Sequence, residues 1–590
     1  MTVMRGSAAS FLTAMAGLSC RIIVVALVAI SGICTGAGEG TFRNTTKDTA
    51  YVGSNVCAGC HPSIFENYRK TGMGRSMTSA SNPAELAKIP KPVTLRNEEL
   101  NRYFSVFREN DAIFQSEYEN DSSGEVFRTT RKLEFVIGSG TNGTTYLVKR
   151  GDSLFEAPLS YYARIGSWGF SPGYEMEDAG FSRPIQTGCL SCHSGRVDPV
   201  PNRPGAYRDP VFRELAIGCE NCHGPGQLHV NERSRKVPVT GKLDDSIVNP
   251  AKLPGWLADN ICMNCHQGTA ARILQPGKEY LDFRPGTPLD ETVAIFEPPA
   301  QPGATVSPLL EHYSMMTLSK CYRESNGRLS CTTCHDPHVQ PRSESASYFR
   351  SKCLGCHTAA SCKVPAGTRG DDCAGCHMSK ENVSQIAHSV LTNHRITSRN
   401  GQSLPKEAFQ RTTEELPDLV HLNRIPGKKD KVPAITLLRA YGELVSSQPQ
   451  YGRRYVETLQ EAAKTNPDDP AVLSALAWLE VGKNTPESNS KAMDYLGRAI
   501  QSGSLLANDF EKRAEQLNQA GRAPEAIEVL KRGILVDPYH QRSYKALALL
   551  CIAEKRYEEA VQVMRQELDA FPQDSFMRNL LKKAEAASRR

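Results

Sequence analysis

The chain has 590 residues, a formal net charge of +6 and 23% charged residues. At about 150 residues per domain that length holds several cores and excludes a minimal single-domain protein. With 39% hydrophobic residues and 45 Gly the composition is that of ordinary globular proteins, which excludes wholesale disorder and a polytopic membrane protein. The basic residues are scattered, the densest run being Lys428-Lys429 followed by Asp430, so the basic stripe of a nucleic-acid binder is missing.

Residues 1–38 carry Arg5 and Arg21, an apolar run from Ile22 to Cys34, and then small residues. A transmembrane helix needs about 20 apolar residues, and this shorter run has the form of a signal-peptide core. Export to the periplasm is the expectation. The alternative is a retained signal-anchor that holds the protein on the membrane, facing the periplasm. Ile33 before Cys34 argues against a lipoprotein site.

Of 19 cysteines, 14 fall in one repeated pentapeptide, Cys-x-x-Cys-His: CAGCH at 57–61, CLSCH at 189–193, CENCH at 219–223, CMNCH at 262–266, CTTCH at 331–335, CLGCH at 353–357 and CAGCH at 373–377. We number these motifs one to seven. The pattern signals covalent c-type haem attachment. Two cysteines three apart reach the two vinyl groups of one haem, and the adjacent histidine is held under the iron as its proximal ligand. Zinc ribbons also pair such cysteines, but nothing in a zinc site requires His directly after the second one. Thioredoxin-like motifs and a disulfide framework fail on the same histidine. The expected cofactors are therefore seven c-type haems on Cys57, Cys60, Cys189, Cys192, Cys219, Cys222, Cys262, Cys265, Cys331, Cys334, Cys353, Cys356, Cys373 and Cys376. Their proximal ligands are His61, His193, His223, His266, His335, His357 and His377. Of the other five cysteines, Cys20 and Cys34 leave with the targeting segment. Cys321 and Cys362 are candidates for a disulfide in an oxidising compartment, and Cys551 lies on an apolar helix pattern as a small hydrophobe.

Motifs one and two are separated by 132 positions, against 20 to 69 for the other intervals. Within the long interval, RYFSVF (102–107), EVFRTTRKLEFVIGSG (125–140) and TTYLVKR (144–150) read as strands, with Asn142-Gly143 as a turn. They predict a small antiparallel β-rich insertion at about 95–165. From about 185 to 400 the chain is rich in Pro, Gly and polar residues and weak in periodicity, so short helices and loops are expected to pack around the haems as their core. The haem domain is drawn over 39–404, followed by a linker over 405–448. Two 34-residue units, 507–540 and 541–574, then align with Ala514 on Ala548, Ala526 on Ala560 and Pro538 on Pro572. This is the tetratricopeptide period, two antiparallel helices per unit. A divergent unit around 449–502 precedes them and completes an all-α repeat domain over 449–590. The fold class is mixed: a loop- and short-helix-rich haem domain with a β-rich insertion, followed by a helical solenoid.

A low-spin haem needs a sixth ligand. The non-motif histidines of the haem region are His229, His312, His338, His388 and His394, five for seven irons. Met73, in KTGMGRSM, is a sixth candidate whose thioether would raise the potential of its haem, with Met77 as its competitor. One iron is left to Met316, Met176, Met378, His421 or an open position.

Together, YVGSNVCAGCH (51–61) with YRKTGMGRSM, FVIGSGTNGTTYLV (135–148), APLSYYARIGSWGFSPGY (157–174), CENCHGPGQLHV (219–230), LSCTTCHDPH (329–338) and the closing CAGCHM with HSVLTNHRI resemble the bacterial multihaem c-type cytochromes with doubled CXXCH motifs. Their haem domain is similar to the cytochrome c-554 type, here joined to a TPR tail. The resemblance implies periplasmic electron transfer between closely packed haems. It also implies a histidine at the position that Met73 fills.

The expected function is an electron carrier with redox-protein partners, whose TPR tail docks a protein partner. The alternative is a multihaem oxidoreductase acting on a small nitrogen or sulfur compound at one open haem. No variant motif marks such a haem, and no catalytic residue is assigned. Without residues 1–38 the net charge is +4, and seven haems with ionised propionates bring it to about −3 oxidised and about −10 reduced.

Overall fold

The computed structural model describes residues 42–176, 179–267, 270–301, 311–340, 345–365, 370–383, 389–399, 401–429 and 431–588. The targeting segment, with Cys20 and Cys34, and His388 lie outside the described residues.

Alternating apolar and polar residues make an antiparallel meander of four strands, Val93–Asn97, Arg102–Glu109, Ala112–Asp121 and Gly124–Lys132. Its two tight turns place Asn110 and Gly124 at positive φ, 52° and 118°, conformations that Asn and Gly tolerate best. A second sheet runs in the order Met77–Ser79, Phe135–Ile137, Gly143–Arg150, Leu159–Tyr162, Ser167–Phe170, with Ser153–Glu156 also paired to Gly143–Arg150. The inward faces of the two sheets share a core of Phe104, Val106, Ile113, Val136, Tyr146 and Trp168. The buried Gln115 side chain ties them, donating to the Leu159 carbonyl at 2.8 Å and accepting from the Leu159 amide at 2.9 Å. Strand structure thus begins at Met77 and continues beyond 165. A further hairpin, Arg196–Pro199 with Tyr207–Glu214, lies between motifs two and three.

Between 185 and 400 the helices are short, most of them four to nine residues, as the low periodicity predicts. Protein atoms nevertheless supply apolar clusters of their own. One contains Ile261, Met263, Phe283, Leu289, Val293 and Ile295, another Met77, Leu147, Leu154, Leu190 and Val211. This region therefore has apolar cores built from protein side chains alone.

The segment 405–448, expected as a linker, is structured. Val420–His421 adds a third strand to Ala271–Leu274 and Val293–Glu297, and helix Ala434–Val445 packs on that sheet through Ala440, Tyr441 and Leu444. Loop-like composition hid a two-residue strand whose pairing is entirely long-range. Beyond it run the helices Gly452–Thr465, Pro470–Val481, Pro486–Gln501, Ala507–Gln519, Ala523–Val536, Gln541–Ala553, Tyr557–Ala570 and Ser575–Ser588. The aligned alanines Ala514, Ala526, Ala548 and Ala560 are all buried, letting neighbouring helices approach closely. A Cβ at Gly533 would lie 2.8 Å from Phe510 Cβ. The repeat tract also meets the β-rich region. Ser182 Oγ and Arg150 Nη1 donate to the Ala570 carbonyl, at 3.0 and 3.3 Å, and the Phe155 and Tyr539 rings touch.

Candidate haem centres

In a helical turn, residues i, i+3 and i+4 share one face while i+1 points elsewhere. Cys-x-x-Cys-His therefore presents both thiols and the imidazole together if, and only if, it is helical. Motifs two, four and seven lie within helices Thr187–His193, Gly255–His266 and Cys373–His377. In motifs one, three, five and six the His amide donates to the carbonyl of the first Cys at 2.9–3.0 Å, closing the same turn. The i+1 side chain anchors the turn from behind. Leu190 and Met263 are fully buried in apolar clusters. The buried Glu220 carboxylate accepts from the amides of Val52, Gly53 and Gly226, at 3.0, 2.7 and 2.6 Å, pinning motif three to the segment that enters motif one.

Other contacts join the motifs. The thiols of Cys57 and Cys219 are within hydrogen-bonding reach, as are those of Cys192 and Cys265 and of Cys262 and Cys331. Motif one thus abuts three, two abuts four, and four abuts five. Asp259 accepts from the Cys331 amide at 2.9 Å. Arg272 donates to the carbonyls of Met263, Asn264 and Gln267, at 3.3, 2.8 and 3.1 Å, capping the helix that carries motif four. Glu220, Asp259 and Arg272 carry no pattern in the sequence, because each acts on a segment remote in the chain or on bare backbone.

The imidazoles distinguish themselves by which nitrogen is used. His223 Nδ1 pairs with the Val248 carbonyl at 2.8 Å, His377 Nδ1 with Thr397 at 2.6 Å and His394 Nδ1 with Thr392 at 3.0 Å. His229 Nδ1 meets Ser246 Oγ at 3.1 Å and Asp244 at 3.2 Å, and His338 Nδ1 meets Asp336 at 3.1 Å. A ligating His typically donates its other ring N–H in this way, which fixes the tautomer and leaves Nε2 for metal. His421 and His540 instead spend Nε2 on protein, on Asp290 at 2.8 Å and Asn508 at 2.9 Å. Burial lowers the pKa of His193, His223, His266 and His335, and takes His312 to about 2 and His394 to about 4, keeping these rings in the neutral form that binds metal.

Ring separations provide a test of fit. With metal–imidazole bonds of about 2 Å, two imidazoles clasping one iron have centroids about 6 Å apart. His223 and His338 are 6.1 Å apart with planes 21° from parallel, and His335 and His394 are 6.1 Å apart at 40°. His266 and His312 lie at 5.3 Å and would have to open by about 1 Å. Burial lowers the pKa of His229, and the nearby His61 adds to that lowering. The residues present therefore suit axial ligation.

The remaining candidates divide. Met73 sits half-buried on the single turn Met73–Arg75, while Met77 is spent in the apolar core. Met176 is 84% exposed, Met316 is buried in helix His312–Thr317, and Met378 follows motif seven in a half-buried position. His421 is a structural residue. Cys321 and Cys362 are both free thiols, and Cys551 is buried in the repeat core. Among the described residues no three His, Cys, Asp or Glu side chains converge as a bare metal ion would need, and no helix is long and apolar enough to cross a membrane.

No protein-family model matches the chain. The C-type polyheme cytochrome OmcC of Geobacter sulfurreducens is 27% identical to it over 135 residues, 22% of this chain. The chain spans only about 15% of the length of that curated relative. Among solved structures, the Arabidopsis OM64 TPR domain matches at 18% identity and a TM-score of 0.18, covering 20% of this chain and 95% of that one. YrrB, a TPR protein with an unusual peptide-binding site, matches at 16% identity and a TM-score of 0.23, covering 28% of this chain and 80% of that one. Over part of its length, then, this chain is similar to a polyhaem cytochrome.

Proposed function

We propose that the chain is a periplasmic multihaem c-type cytochrome that carries electrons on seven covalently attached haems, with its repeat tract as a docking surface for a protein partner. One observation carries this reading: all seven Cys-x-x-Cys-His motifs form a helical turn that offers two thiols and an imidazole on one face.

Each haem, when bound, supplies an iron that alternates between Fe(III) and Fe(II). The protein holds and tunes that group. The 14 motif cysteines fix the position of each haem by thioether links, and the seven motif histidines ligate through Nε2. Carbonyls on Nδ1 of His223 and His377 orient those rings and fix their tautomer. His229, His312, His338, His388 and His394, with Met73, are the distal candidates. Axial-ligand identity and local charge then set the potentials. Similarity to a polyhaem cytochrome supports the reading of electron transfer, and the 34-residue helical repeats, a period whose stacked units form concave binding surfaces, support a protein partner there.

The test is production of the full chain in a bacterium with c-type haem maturation, followed by intact-mass measurement and cell fractionation. Seven haem additions on a periplasmic protein are expected. A zinc-loaded or haem-free exported product would overturn the assignment.

A further inference from the structure

Four imidazoles meet in one nest although their segments lie far apart in the chain. His266 ends the helix of motif four, and His335 ends the turn of motif five. His312 starts helix His312–Thr317, and His394 follows strand Ser389–Thr392. The rings run in the order His266, His312, His394, His335, with centroid separations of 5.3, 4.3 and 6.1 Å. Each motif histidine thus faces one non-motif histidine, and the two non-motif rings touch.

Resting on the reading above, we infer that His312 is the distal ligand at motif four, that His394 is the distal ligand at motif five, and that their contact makes the two haem centres one electrostatically coupled unit. The 6.1 Å pair has the span of an imidazole–iron–imidazole unit. At 4.3 Å, His312 and His394 stand too close for an iron between them, which leaves each to its own motif histidine.

The nest is held from outside. Ser319 Oγ donates to the His394 carbonyl at 3.3 Å and accepts from the Ile396 amide at 2.8 Å, clamping the backbone around His394 just beyond the helix that His312 begins. His394 Nδ1 is tied to Thr392. A shift of one distal ring is therefore passed to the other. Ligands in contact also bring two centres near enough for the charge added to one to oppose reduction of the other.

The test uses the full-length haem-loaded protein and three variants, His394→Gly, His394→Met and the control His421→Ala. Readouts are haem count by intact mass, spin state by EPR and midpoint potentials by spectroelectrochemical titration. All variants are expected to keep the parental haem count. His394→Gly should convert one low-spin signal to high-spin, reversed by added imidazole, and His394→Met should raise one midpoint strongly and move a second one. Unchanged low-spin signals in His394→Gly would overturn the ligand assignment, and a single shifted midpoint in His394→Met would overturn the coupling. A parental protein with fewer than seven haems but an intact His394 signal would refute the count proposed above and leave this pairing standing.

Discussion

Tyr539 of the repeat tract meets Phe155 of the β-rich region edge to face, centroids 4.4 Å apart and planes at 66°, with the Arg150 guanidinium lying over both rings. Arg150 also donates to the Asp569 and Ala570 carbonyls, so one side chain joins ring stacking to backbone hydrogen bonding across the contact. Tyr539→Ala removes the aromatic partner and should cost about 2 kcal/mol, the scale of a half-buried aromatic. The expected result is faster hydrogen exchange at 536–541 and 153–156 with the haem spectrum unchanged. Equal protection in parent and variant would show that the contact contributes nothing.

The Asp509 carboxylate is fully buried and accepts from Ser474 Oγ at 2.7 Å, Ser504 Oγ at 2.7 Å and Trp478 Nε1 at 3.2 Å. It ties helix Pro470–Val481 to helix Ala507–Gln519. Asp509→Ala leaves three donors without an acceptor and should destabilise the tract by about 2–4 kcal/mol, because buried hydrogen bonds to a charged group are strong and their orphaned partners are costly. Thermal denaturation followed by circular dichroism at helical wavelengths checks this. Asp509→Asn, which keeps an acceptor, should lose less.

Glu567 is wholly buried, and its carboxyl is pushed from 4.5 up to about 8, first by burial and then by the Asp574 charge. Gln541, Tyr544, Lys545 and Asp574 surround it, and Lys545 pairs with Asp574 at 2.7 Å. The folded protein therefore holds a proton at Glu567 that the unfolded chain gives up at lower pH. Folding is stabilised by that proton below about 4.5, and the stabilisation is lost progressively as pH rises through about 8. Stability of the full chain in urea should fall between pH 5 and about pH 8, and Glu567→Gln should flatten that slope. An identical slope in the variant would exclude Glu567 as its source.

His421, in the segment after the last motif, shows how a histidine can serve the fold alone. Its Nε2 meets Asp290 and its ring packs on Phe296 at 4.7 Å. His421→Ala should leave haem content and EPR signals unchanged while lowering stability by about 1–3 kcal/mol. Appearance of a high-spin signal would place His421 among the ligands instead.

What the sequence made legible follows the range of the interactions involved. The thiol-thiol-imidazole face is written within five residues, since the turn that forms it is local. The repeat helices were legible for the same reason, through 34-residue spacing and buried alanines such as Ala526 and Ala560. The strand Val420–His421 was not, because two residues have no periodicity and its pairing to Phe296 and Glu297 is set by the rest of the fold. The placement of the non-motif histidines was legible only as a supply of them. Which one faces which motif depends on long-range packing, so His338, three residues after His335, lies instead against His223. The capping of motif four by Arg272 left no trace either, because its acceptors are backbone carbonyls, which every sequence has.

The repeat tract is attached at two places, through Tyr451 and Tyr455 to the core shared by helix Ala434–Val445 and the three-stranded sheet, and through Tyr539 and Ala570 to the β-rich region. A solenoid fastened this way is a handle and not a tether. Its helices cannot swing to search for a partner, so whatever grips them is brought to a set distance and angle from the rest of the chain. Geometry that a flexible linker would leave to diffusion is built in before any encounter takes place.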